Sequence, residues 1–157
     1  MKVIKMNEKQ LTWFNHWMKH ARLIATRSTC PRNQVGAFII DENNNPISAG
    51  FNGPPRKSFG NLCAFDKCDR NELSIISGQR TEIGCHHAEL NAIANAAKRC
   101  VSLNLCSIVI SVSPCMSCAK MIHHVGIRRA IVPAGNTYSS DGVQYLHDNN
   151  VIVLFID

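Results

Sequence analysis

The sequence predicts an α/β fold built on a partly parallel sheet. Three observations carry this expectation. Short apolar runs of strand length alternate with segments whose apolar residues recur every three or four positions. Hydrophobic residues make up 45% of the 157 residues and charged residues 18%, so the chain can bury a core. No repeat, low-complexity stretch or linker interrupts it, so residues 1–157 are expected to form a single domain.

Each element follows from its own pattern. Leu11, Phe14, Trp17, Met18, Ala21 and Ile24 share one face at helical spacing, which predicts a helix over residues 11–26. Residues 35–40 form an apolar run expected to be a buried strand. Asp41-Glu42-Asn43-Asn44-Asn45-Pro46 is turn chemistry, and residues 47–51 complete a hairpin. Residues 53–84 show weak periodicity and contain Pro54, Pro55, Gly60 and Gly78. A loop this long in a compact domain is functional or tied down by something. Residues 88–99 are alanine-rich and helical, and 107–112 read as a strand. A helix over 115–125 is stopped by Gly126. A strand over 129–133, a short helix over 141–149 and a last strand over 151–156 follow, making five strands in all.

The formal net charge of +6 suits an anionic partner. The basic residues are scattered with no run of five or more, which argues against a nucleic-acid tail. The first ten residues are polar, so no secretory leader is expected. No apolar run approaches the roughly 18 residues of a membrane span. A cytoplasmic protein with no membrane partner is expected, and there eight cysteines point to metal binding or catalysis rather than disulfides.

Two segments carry chemistry. His87-Ala88-Glu89 opens one helix, and Pro114-Cys115-Met116-Ser117-Cys118 opens another. One imidazole and two thiolates suit zinc, and three protein ligands leave its fourth position for water, which suggests a catalytic site. Cys115 and Cys118 are separated by two residues, so both sulfurs can face one point from the first helical turn. The positive end of a helix also favours thiolates there. Glu89, two residues after His87, can face the reacting water without ligating the metal. Either segment alone is a weak signal. Together, His-x-Glu and Pro-Cys-x-x-Cys are the signature of zinc deaminases acting on nucleobases, with the glutamate as general acid and base.

At these residues the chain resembles the cytidine and deoxycytidylate deaminase superfamily, and within it the dCMP branch. Arg27-Ser28-Thr29-Cys30-Pro31-Arg32-Asn33-Gln34-Val35-Gly36-Ala37, Gly50-Phe51-Asn52-Gly53-Pro54 and His87-Ala88-Glu89-Leu90-Asn91-Ala92-Ile93 carry the likeness, which runs from about Trp13 to Phe155. The resemblance implies a three-layer αβα sandwich around a five-stranded mixed sheet. It implies zinc-dependent hydrolysis of dCMP to dUMP and ammonia, the step that feeds thymidylate synthesis. It assigns the zinc to His87, Cys115 and Cys118 and the proton transfers to Glu89. Asn52, Tyr138 and the backbones of Ala88 and Ser113 would contact the substrate. Arg27, Arg56, Lys57 and Lys120 are candidates for its phosphate, although any one of them read alone is an ordinary surface charge.

The resemblance further implies a second, structural zinc holding the long irregular segment. Cys30, Cys63 and Cys85 match ligand positions, with Cys68 or His86 as the fourth. A homohexamer is implied, with dCTP and dTTP as effectors and Mg2+ accompanying the triphosphate. Cys100 and Cys106 read as plain buried thiols, and His123 and His124 as cations at a helix C-terminus. His16 and His20, four apart on a helix, could hold a metal but have no third ligand nearby in sequence. Two other functions compete. One is a related deaminase acting on cytidine, guanine, a 5-modified dCMP or a tRNA adenosine. With aromatics at only 6%, stacking platforms for RNA are scarce. The other is a non-catalytic zinc module binding nucleic acid, which leaves Glu89 and the α/β alternation without a purpose.

Overall fold

A capping box opens the first helix, α1 (Glu8–Ala25). Asn7 Oδ1 accepts from the Gln10 N–H at 2.8 Å, and Gln10 Oε1 accepts from the Asn7 N–H at 3.2 Å. The cap explains why the helix starts three residues ahead of its apolar stripe. Then come β1 (Gly36–Ile40), β2 (Pro46–Phe51), β3 (Cys63–Ala64), β4 (Lys67–Cys68) and α2 (Asp69–Glu72). The rest of the chain runs α3 (Ala88–Ala97), β5 (Ser107–Ile110), α4 (Met116–His124), β6 (Arg129–Pro133), α5 (Ser140–Asp148) and β7 (Ile152–Ile156). The computed structural model describes residues 6–54, 63–64, 67–76, 79, 81, 83–135 and 140–157.

The five long strands form one sheet in the order β2-β1-β5-β6-β7. β1 pairs antiparallel with β2 and β5, and β5-β6-β7 pair in parallel, so the sheet is mixed. β2 is an edge strand, which is why it tolerates Pro46. In the β1–β2 turn, Asp41 accepts from the Asn43 and Asn45 N–H groups at 2.9 and 2.8 Å while Asn44 takes φ 65°.

Helices cover both faces. On one, Ala37, Ile39, Ile108, Ile110, Ala130 and Val132 pack with Ala88, Ala92, Ala119, Ile122 and Leu146 from α3, α4 and α5. On the other, Ile40, Val109, Ile131 and Leu154 meet Phe14, Trp17, Met18 and Ala21 of α1. This is the three-layer sandwich with a five-stranded mixed sheet that the resemblance implies. β5 lies at its centre and is buried at every position, which explains its unbroken apolar run.

The segment read as one long loop contains short structure, the β3–β4 pair followed by the single turn of α2. Two-residue strands and a one-turn helix are too short to show a period. No helix among the described residues is long and apolar enough to cross a membrane.

Candidate active site

Two helix N-termini build the site. His87 is the N-cap residue of α3 and Cys115 that of α4. Both are extended at the cap, and neither side chain caps its own helix. The side chains converge instead. His87 Nδ1 lies 3.4 Å from Cys115 Sγ and 3.4 Å from Cys118 Sγ, and all three donor atoms lie within 4.8 Å of one another.

β2 fixes α3, and with it His87. Asn91 Nδ2 donates to Phe51 O at 2.8 Å, Asn95 Nδ2 to Ala49 O at 2.9 Å, and Ser48 Oγ to Ala92 O at 2.8 Å. Gly50 permits this approach, because a Cβ there would sit 2.4 Å from both Ala88 O and Ala92 N. Gly53 and His86 exchange two backbone hydrogen bonds of 3.1 Å, pinning the strand end beside His87. On the other side, α5 presses on the Pro114–Cys115 peptide through Gly142, whose Cβ would fall 2.1 Å from Pro114 O.

The electrostatics describe a cation site. The hydrogen bond with Cys118 pushes the Cys115 thiol down to about 4, against burial, and His87 lowers it further. The same contact and burial push Cys118 up. Two thiols this close share one negative charge, and a divalent cation between them lets both ionise. The Cys115 contact raises His87 in turn. Two sulfurs and an imidazole nitrogen facing one point fit zinc by donor type, number and position. Glu89 stands beside them at 3% exposure. Burial raises its carboxyl above the ordinary range, opposed by its own backbone N–H, by His87 and by a hydrogen bond with Cys118.

His87, Glu89 and Cys115 face a cavity that Asn52, Ala88 and Ser113 also line, as the resemblance implies. Asn52 is already engaged. Its Oδ1 accepts from the Val35 N–H at 2.8 Å and its Nδ2 donates to Asn33 O at 2.9 Å, which leaves one lone pair and one N–H for a ligand. Arg27 and Lys120 are exposed and lie outside this wall. Arg56, Lys57 and Tyr138 lie outside the described residues. Cys30, Cys68 and Cys85 share the cavity wall, and Cys63 stands opposite Cys68 in the β3–β4 register. His86 is exposed and is not part of that wall.

Two arginines that the sequence reading passed over line the cavity, Arg32 and Arg70. Arg32 carried a signal, its place between Cys30 and the first strand. Arg70 carried none, because it depends on how the irregular segment folds.

Residues 11–134 match the family described as "Cytidine and deoxycytidylate deaminase zinc-binding region". The chain belongs to this family. The human deoxycytidylate deaminase is 33% identical over 137 residues, covering 87% of this chain and 73% of that protein. The Bacillus subtilis ComE operon protein 2 is 34% identical over 120 residues, covering 76% and 58%. The structure of dCMP deaminase from the cyanophage S-TIM5 in complex with dCMP and dUMP superposes with a TM-score of 0.75 at 27% identity, covering 97% of this chain and 100% of that one. The family's description as a zinc-binding region accords with the donor types that His87, Cys115 and Cys118 bring together.

Proposed function

We propose that the protein hydrolyses dCMP to dUMP and ammonia, with Glu89 as the group that moves the protons. The observation that carries this reading is the buried Glu89 carboxyl beside the His87–Cys115–Cys118 triangle, facing a cavity with two arginines on its wall. The human and cyanophage relatives support dCMP as the substrate.

A zinc ion held by His87, Cys115 and Cys118 supplies the Lewis acidity that makes water nucleophilic at neutral pH. Glu89 accepts a proton from the attacking water and delivers it to N3 as a bond forms to C4. It then takes the proton of the new C4 hydroxyl and passes it to the exocyclic amine, so that the C4–N bond breaks and ammonia leaves a C4 carbonyl. The Ala88 N–H, in the first turn of α3, has no intrahelical acceptor and joins the Ser113 backbone in reading the cytosine edge. The resemblance adds Asn52, Tyr138 and Arg27 to the substrate contacts.

Arg32 and Arg70 are the cations for the 5′-phosphate. Arg32 Nη1 donates to Ile75 O at 2.8 Å, and Arg70 Nη2 to Ile76 O and Gln79 O at 3.3 and 2.9 Å. Carbonyl oxygens position these guanidiniums without neutralising them. Arg70 Nε is buried with no hydrogen-bond partner among the described residues, so one donor remains unspent. The same reading carries a cytoplasmic homohexamer, dCTP activation and dTTP inhibition with Mg2+ on the triphosphate, and a second zinc among Cys30, Cys63, Cys68, Cys85 and His86.

Ammonia release from dCMP, deoxycytidine and tRNA tests the substrate. We expect dCMP to be strongly preferred, and deoxycytidine turned over as well as dCMP rejects the assignment. Arg70→Ala should lower kcat/KM for dCMP by roughly tenfold or more, as a charge-assisted phosphate contact of about 1.5–3 kcal/mol requires. Deoxycytidine, with no phosphate, should be nearly indifferent to the change. An equal loss on both substrates assigns Arg70 to the shape of the cavity instead.

A further inference from the structure

The sheet face opposite α3 and α4 carries a second pair of metal-ligating side chains. His16 and His20 stand one turn apart on α1, with their Nε2 atoms 3.2 Å from each other. That separation is the one two imidazoles take on a shared ion. Bonds of about 2.0–2.1 Å meeting at a tetrahedral angle place the nitrogens about 3.3 Å apart. The helix presents residues i and i+4 as neighbours on one face.

Packed aromatic rings preset the arrangement. His16 meets Trp13 and Trp17 edge-on at centroid distances of 5.8 and 5.1 Å. His20 lies 5.2 Å from Trp17 and 5.9 Å from Phe38. Two side chains already fixed in converging rotamers lose little further freedom on taking a ligand. Among the described residues neither Nδ1 has a hydrogen-bond partner, so each ring can carry its proton there and turn the Nε2 lone pair towards the pair's midpoint.

We infer that His16 and His20 form a surface site for a borderline divalent cation such as Ni2+, Cu2+ or Zn2+, the class imidazole prefers. Water completes the coordination, because His16 is exposed. The site is separate from the His87–Cys115–Cys118 centre and does not depend on the activity proposed for it.

Trp13 and Trp17 are the two tryptophans of the protein, and both touch the pair. The zinc-loaded protein titrated with Ni2+, which leaves thiols unoxidised, should therefore show saturable loss of tryptophan emission at one ion per chain. His20→Gln should move the midpoint up by about tenfold or more, since the second ligand acts at high effective concentration. His16→Gln repeats the test from the other ligand. An unchanged midpoint in both variants, or the absence of saturable quenching in the native protein, overturns the inference.

Discussion

Glu89 is a carboxylic acid in a place where water is scarce, 3% exposed and touching Cys118. Such a group is costly to bury unless it is hydrogen-bonded or neutralised, and burial raises this carboxyl above the ordinary range. If it moves protons, Glu89→Gln keeps shape and hydrogen-bond reach but loses the reaction. Turnover should fall by the roughly 10²- to 10⁴-fold typical of a lost general acid and base, while zinc content and dCMP binding stay near native. Steady-state kinetics beside metal analysis check this, and a variant that loses its zinc makes Glu89 a ligand instead. Cys115→Ala should do the opposite and lose zinc and activity together, because two remaining ligands hold the ion poorly. Native metal content with native activity in that variant rejects the donor set. The cluster of His87, Glu89, Cys115 and Cys118 was legible in the sequence because donor type and spacing are local. Arg70 was not, because nothing local brings a one-turn helix against the cavity.

The helices set how accurately those side chains meet, and here packing matters more than periodicity. α5 reaches the Pro114–Cys115 peptide only because residue 142 lacks a side chain, with a Cβ lying 2.1 Å from Pro114 O and 2.9 Å from Cys115 C. Gly142→Ala should force α5 or that peptide to shift, costing about 1–3 kcal/mol as overpacking does. Thermal unfolding should show a lowered Tm, and a chelator should strip zinc faster than from the native protein. Gln144→Ala, on the exposed side of the same helix, is the control and should change neither. Native zinc retention in Gly142→Ala would mean that α5 does not brace the site. The existence of each long element was legible from its apolar period, but several ends were not. α1 starts early because Asn7 and Gln10 cap it. β5 ends at Ile110, and the Ser111 N–H bonds back to Gly36 O. Cys115 is a cap rather than a helical residue, which frees its sulfur to face His87.

At the scale of the whole molecule, the order β2-β1-β5-β6-β7 brings His87 and Cys115 together, although each begins a helix in a different part of the chain. Alternation alone implied a layered α/β fold, and the resemblance supplied the rest. The cysteines of the irregular segment pose the remaining question at this scale. Cys30 precedes β1, Cys68 ends β4 and Cys85 precedes α3, yet all three reach one cavity wall. Cys63 stands opposite Cys68 across a two-residue strand pair that has almost no ladder of its own. Strands this short do not hold themselves, so a cross-link between the segments would account for their order. If the proposed second zinc is that cross-link, active protein should contain two zinc ions per chain. Cys68→Ser should then lose one ion, keep the ion at His87, Cys115 and Cys118, and unfold at a lower temperature. Its deaminase activity should fall less than that of Cys115→Ala, because the damage reaches the cavity wall and not the donor set. A single zinc per chain in fully active native protein, or a Cys68→Ser variant with unchanged metal content, rejects the cross-link and leaves these cysteines as packing residues of the wall.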